Sequence, residues 1–148
     1  MSVLSFLKAV PNSKITDLKR FIFSYSTGTM MNSSVSYVLK KDKSGKYVVE
    51  ICPDEVAEED KYISEVNVGF AEKIVMILKK YHVGRWNGFN KIDRMVMDGD
   101  GFSLDVSFQN GSRIHAHGYM RYPKNYSSVR GELDTAFMNL YNSATITE

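Results

Sequence analysis

The 148-residue sequence predicts an α+β domain: a mainly antiparallel sheet of about five to six strands, with two principal helices packed on it. Three observations carry that prediction. Runs of alternating apolar and polar residues are separated by glycine-containing turns, as hairpins require. Two stretches, about 66–82 and 127–141, change to the 3.6-residue period of a helix with one buried stripe. The order is strands then helix, twice, within a length that suits one domain, 1–148.

Apolar residues make up 43% and charged residues 24%, which excludes a disordered or fibrous chain. The formal charge is +2, and Lys and Arg are spread along the chain, so composition gives no support for a nucleic-acid partner. A single cysteine, Cys52, leaves no internal disulfide and points to a reducing, cytoplasmic setting. No apolar run reaches the length of a membrane span, so no membrane partner is expected.

Taken from the start, "MSVLSFLKAV" has no basic residue before its apolar run and no small-residue cleavage pattern. The spacing of Leu4, Leu7 and Val10, halted by Pro11, predicts a short amphipathic helix within an N-terminal arm, 1–14. "LKRFIFSYSTG" alternates with Phe21, Phe23 and Tyr25 on one side, a half-buried strand. "VSYVLKK" and "KYVVEIC" flank "DKSG". A three-residue loop Lys43-Ser44-Gly45 pairs Leu39 with Val49 and Tyr37 with Ile51 on one face, leaving Lys40, Val48, Glu50 and Cys52 on the other. The acidic "PDEVAEEDKY" reads as a solvated connection. Val66, Phe70, Ile74, Ile77, Leu78 and Tyr81 then form a helical stripe. Lys79, Lys80 and His82 suit the negative end of that helix, and Gly84 suits its stop.

"IDRMVM" reads as a short strand, and "DGDGFSLDVSFQNGSRIHAHGY" as a second hairpin closed off by Pro123. Val129, Leu133, Ala136, Phe137 and Leu140 mark the second helix, with 142–148 a frayed tail. Superposing Gly45 on Gly111 sets Leu39 against Asp105, opposite faces, so the two halves are not a duplication.

The second hairpin holds the only clustered imidazoles. A two-residue turn at Asn110-Gly111 would put Phe102, Leu104 and Phe108 on the face of Arg113, His115 and His117, an expensive mixture. A three-residue loop, Gln109-Asn110-Gly111, pairs Val106 with Ile114 and Leu104 with Ala116, and so segregates apolar from polar. Asp105 then faces His115, Ser103 faces His117 and Ser107 faces Arg113 on the outward side. The plain reading is an exposed strand face whose Asp–His pair contributes a few tenths of a kcal/mol. The chemical reading is a divalent-metal site on Asp105, His115 and His117, since carboxylate and imidazole are ordinary ligands. "DGDG" lacks the later acceptors of a calcium loop, because Phe102 and Gln109 stand where they would be, and reads as a glycine turn.

"RWNGF" carries the only tryptophan. Trp86 and Phe89 either cap an open end of the core or line a small-ligand pocket with Arg85 and Asn87 as polar anchors. Cys52 has no activating neighbour in the sequence and reads as an inert thiol. There is no phosphate loop or nucleophile elbow, and no cofactor is implied.

The run from "WNGF" through "DGDGFSLDVSFQNGSRIHAHGYMRYPKNY" resembles a pattern in uncharacterised bacterial proteins: W-x-G-F, D-G-x-x-F-S-L, N-G, A-x-G, then P-x-x-Y. The resemblance covers about the C-terminal half. It implies a fold, with Trp86, Gly88, Phe89, Gly118 and Pro123 as scaffold positions, and assigns no activity. The functional expectation is therefore a non-enzymatic binding or interaction module that meets a protein partner, or a second copy of itself, through a sheet face or edge. Val38 and Val48 beside Lys40, Glu50 and Cys52 make an apolar strip that either marks such a contact or lies under a helix. The alternatives are a small metal-dependent enzyme on Asp105, His115 and His117, and a ligand pocket beside Trp86.

Overall fold

The computed structural model describes residues 8–26, 34–95 and 99–146. The predicted helix around Leu4 and Leu7 lies outside them, as do Asp98 and the last two residues, Val96 and Met97, of the strand predicted for "IDRMVM"; of its described residues Ile92 ends a strand and 93–95 leave the sheet in a turn. In chain order the strands are β1 (Leu18–Ser26), β2 (Ser34–Lys41), β3 (Tyr47–Cys52) and β4 (Tyr62–Val66), followed by helix α1 (Val68–Lys80). Then come β5 (Asn90–Ile92), β6 (Gly101–Phe108), β7 (Arg113–Tyr119) and helix α2 (Tyr126–Ile146). They form one seven-stranded sheet in the order β4-β3-β2-β1-β6-β7-β5, antiparallel except for the parallel β5–β7 pair. The architecture is α+β, with one or two more strands than predicted.

Both hairpins have the registers their loops dictate. Leu39 pairs with Val49 and Tyr37 with Ile51; Val106 pairs with Ile114 and Leu104 with Ala116. Gly45 and Gly111 take φ of +87° and +90° at the last loop position, a conformation that strains any residue with a Cβ. The first loop is further pinned by Asp42, whose carboxylate accepts from the Ser44 and Lys46 amides and the Ser44 hydroxyl. In the second, Asn110 donates its amide to the Lys14 carbonyl and Thr16 Oγ1, tying the loop to the N-terminal arm.

β1 joins the two hairpins by pairing with β2 on one side and β6 on the other. Its inward residues Leu18, Phe21, Phe23 and Tyr25 line up with Tyr37 and Leu39 of β2 and with Leu104, Val106 and Phe108 of β6 to floor the core. Both helices pack on this floor. Phe137 of α2 is fully buried, stacked 4.5 Å from Tyr37 and 5.9 Å from Phe21, with Phe70 of α1 edge-on at 5.2 Å.

Four element boundaries differ from expectation. Val66 matches the helical stripe in spacing but belongs to β4, and the helix begins at Val68 because Asn67 caps it, its side chain accepting from the Phe70 amide at 3.0 Å. β4 itself follows directly on the acidic connection. At the other end the left-handed residue is His82, φ +51°, and not Gly84. Gly84 is buried in a short 3₁₀ turn, Val83–Trp86, where a Cβ would lie 1.8 Å from the Val10 carbonyl oxygen. Its glycine serves close backbone approach: the Val10 amide donates to the Gly84 carbonyl at 2.9 Å. Finally, α2 continues past Tyr141 to Ile146, through residues expected to be a frayed tail.

Candidate functional site

With α1 and α2 on one side of the sheet, no described α-helix or strand covers the other; at its β3 end the connection 53–61 reaches over it, the Val56 carbonyl accepting from Cys52 and Lys61 meeting Glu50. That face is built by alternation, since every residue between two core residues points away from the helices. Three cross-strand rows follow from the registers. The first runs Val48–Lys40–Arg20–Ser107–Arg113, the second Glu50–Val38–Ile22–Asp105–His115, and the third Cys52–Ser36–Ser24–Ser103–His117. Val38 and Ile22 are half-buried and directly paired, with half-buried Val48 on the diagonal in the next row, an aliphatic strip on a face whose β4 end also exposes Ile63 beside Glu50. Val38 and Val48 therefore belong to the uncovered face and not to a helix-packed one.

Charge is organised around that strip. Glu50 accepts from Lys40 and Lys61, each at 2.7 Å, and these two ammonium groups hold its carboxyl below the ordinary carboxylate range. On the far side Asp105 faces His115, with Arg113 Nη2 at 3.9 Å. His115 is exposed and His117 half-buried, both on this face as i, i+2 residues must be. The strip is thus assembled as its sequence predicts. Among the described residues, however, no group of three or more His, Cys, Asp and Glu side chains converges closely enough to hold a metal ion.

Arg85, Trp86 and Asn87 have three different settings. Arg85 is exposed. Trp86 is 3% exposed, its indole N–H donating to the Lys124 carbonyl at 3.1 Å and its ring edge-on to Phe102 at 6.1 Å. It fills the core beneath the start of α2. Asn87 uses both ends of its amide on backbone: Nδ2 donates to the Lys8 carbonyl and Oδ1 accepts from the His115 amide. Together with Gly88, whose amide donates to the His115 carbonyl, it seals the outer edge of β7 where β5 does not reach. Cys52 lies on the open face, donating to the Val56 carbonyl. Burial, and then the nearby Glu58 carboxylate, push its thiol up, away from the thiolate a nucleophile needs.

Two clusters were not visible in the sequence. In one, the Asp134 carboxylate accepts from Tyr25 at 2.8 Å and Tyr37 at 2.5 Å, while Arg130 stacks 3.8 Å over the Tyr25 ring. The i, i+4 spacing of Arg130 and Asp134 was the available signal. This cluster satisfies polar atoms at the edge of the core. The second is a groove of about 680 Å³ on the open face, lined by Lys19, Arg20, Lys40, Lys41, Ser107 and Arg113 among others. Its cations come from three strands, and only the placement of β1 between β2 and β6 brings them together.

The chain matches no protein-family model and no curated protein. No helix among the described residues is long and apolar enough to cross a membrane.

Proposed function

We propose that the chain is a non-enzymatic binding module that docks a partner protein on the open face of its sheet, in a reducing, cytoplasmic setting that leaves Cys52 a thiol. The observation that carries this reading is the one-sided packing of the sheet. The helices bury one face, and the opposite face leaves the Val38–Ile22 pair and its diagonal neighbour Val48 half-exposed, bounded by the Lys40–Glu50–Lys61 pairs on one side and the Asp105–His115 strip on the other. Adjoining aliphatic side chains with a charged rim are the usual anatomy of a protein contact. A partner on this face would meet strands held from beneath by a continuous core.

The test uses the double variant Ile22→Thr/Val38→Thr, which keeps β-branched residues in the strands and removes the apolar surface. Light scattering at micromolar concentration asks first whether the partner is a second copy. Capture from native extract by wild type and variant then asks whether a partner is held by this face. The expected result is a species retained by wild type and lost with the variant. Equal retention by both would contradict the proposal.

A further inference from the structure

The open face is chemically lopsided. At the end nearest the two hairpin loops, Lys40, Arg20 and Arg113 stand in one cross-strand row with the Ser107 hydroxyl between the arginines. A register shift between Leu18 and Arg20 inserts Lys19 beside Arg20, and Lys41 lies 5.5 Å over the Tyr47 ring at the same end. The acidic side chains that face this group are Glu50, already engaged by Lys40 and Lys61, Asp105, 3.9 Å from Arg113, and Glu65, which ends the same row beyond Val48 and pairs with Lys46 at 3.5 Å. Lys19 and Arg20 have no ion-pair partner among the described residues and are exposed. The groove therefore carries an excess of positive charge directly next to the aliphatic strip of Val38 and Ile22.

We propose that this groove receives an acidic segment of a partner protein, its carboxylates on Lys40, Arg20 and Arg113 and its intervening apolar side chains on Val38 and Ile22. The proposal rests on the reading of the open face as the docking surface and adds the chemistry of what docks. The dimensions fit an extended peptide. Strands about 4.8 Å apart put Lys40 and Arg113 about 14 Å from each other, roughly four residues of extended chain. Carboxylates two residues apart are about 6.7 Å from each other, within the sweep of flexible Lys and Arg side chains. A nucleic acid fits less well. Single strands bind by stacking bases on exposed aromatic rings. The ring that lines the groove, Phe108, is 1% exposed, and the outward ring of β7, Tyr119, lies six residues along the strand from Arg113. An aliphatic strip beside the cations suits a polypeptide.

The experiment is fluorescence anisotropy of the full chain at low ionic strength with two labelled probes: a peptide in which glutamate alternates with valine and serine, and an oligothymidylate of similar length. Arg20→Glu/Arg113→Glu is compared with Lys73→Glu/Lys79→Glu on α1, which makes the same change in net charge on the other side of the molecule. The expected result is peptide binding that weakens about tenfold or more in the sheet-face variant, far less in the helix variant, and falls with added salt. Amide shift mapping on the wild type, expected to mark β2, β1, β6 and β7, guards against a variant that misfolds. No peptide binding, equal weakening in both variants, or tighter binding of the oligothymidylate would overturn the proposal. Should it fall while capture remains sensitive to Ile22→Thr/Val38→Thr, the docking face stands and only the acidic character of the partner is wrong.

Discussion

One-sided packing makes a quantitative prediction about two residues on opposite faces of the same sheet. Phe137 is fully buried and touches three rings: Tyr37 stacked at 4.5 Å, Phe70 edge-on at 5.2 Å and Phe21 at 5.9 Å. Phe→Ala in a core costs about 3–5 kcal/mol, and the lost ring pairs place this site near the top of that range, about 4–5 kcal/mol. Domains of this kind have about 5–15 kcal/mol in total, so Phe137→Ala removes a large share of the stability. Val38 is half-exposed on the open face, and its truncation loses about two half-buried methyl groups and some strand preference, about 1 kcal/mol. Urea unfolding reads both. With a slope of about 2 kcal/mol per molar, the midpoint falls about 2 M for Phe137→Ala and about 0.5 M for Val38→Ala. A cost above about 3 kcal/mol for Val38→Ala would mean that its face is covered, and the reasoning from an open sheet would fail.

Three further outcomes follow from particular contacts. Asn87→Ala removes the bonds to the Lys8 carbonyl and the His115 amide and is expected to cost about 1–2 kcal/mol, with faster hydrogen exchange at His115 and little change at Ile114. Glu50 and Asp42 are both held below the ordinary carboxylate range, the first by Lys40 and Lys61, the second by Ser44 and Lys46. Their contribution to stability is present above the unfolded-state value of about 4 and is lost as the pH falls through the folded one, so urea midpoints for Glu50→Gln should vary less with acid than those of wild type. Burial raises the Tyr37 and Tyr126 hydroxyls, with the Asp134 carboxylate adding to the rise at Tyr37. Their folded values exceed the unfolded value of about 10, so this stability is complete below that pH and lost above it. Ultraviolet titration should show tyrosines that ionise only when the chain unfolds.

What was legible in the sequence was local. Each hairpin register followed from a loop length and the requirement that apolar residues share a face, and Leu104, Ile114, Leu39 and Val49 satisfy it. The outward strip of Asp105, His115 and His117 came from the same argument. What was not legible depended on distant partners. Nothing in "LKRFIFSYS" says that it lies between β2 and β6, so the groove of Lys19, Arg20, Lys40, Lys41 and Arg113 could not be assembled from spacing alone. β4 is short and only half-buried, and β5 is three exposed residues held by the edge of β7; neither has enough inward side chains to stand out. Val66 fitted the helical stripe by coincidence of spacing, where the Asn67 beside it was the better signal for the start. Gly84 sits where a helix stop is expected, but it is required by contact with Val10, more than seventy residues away in sequence.

A partner seated on the uncovered side of the sheet lies within reach of a photo-crosslinker placed there. A photoreactive residue is placed at position 38 on that side or at exposed position 76 on α1, and adducts are compared in living cells. A discrete adduct is expected from position 38 and none of the same mass from position 76. Adducts from position 76 alone, or the same set from both, would contradict docking on that side.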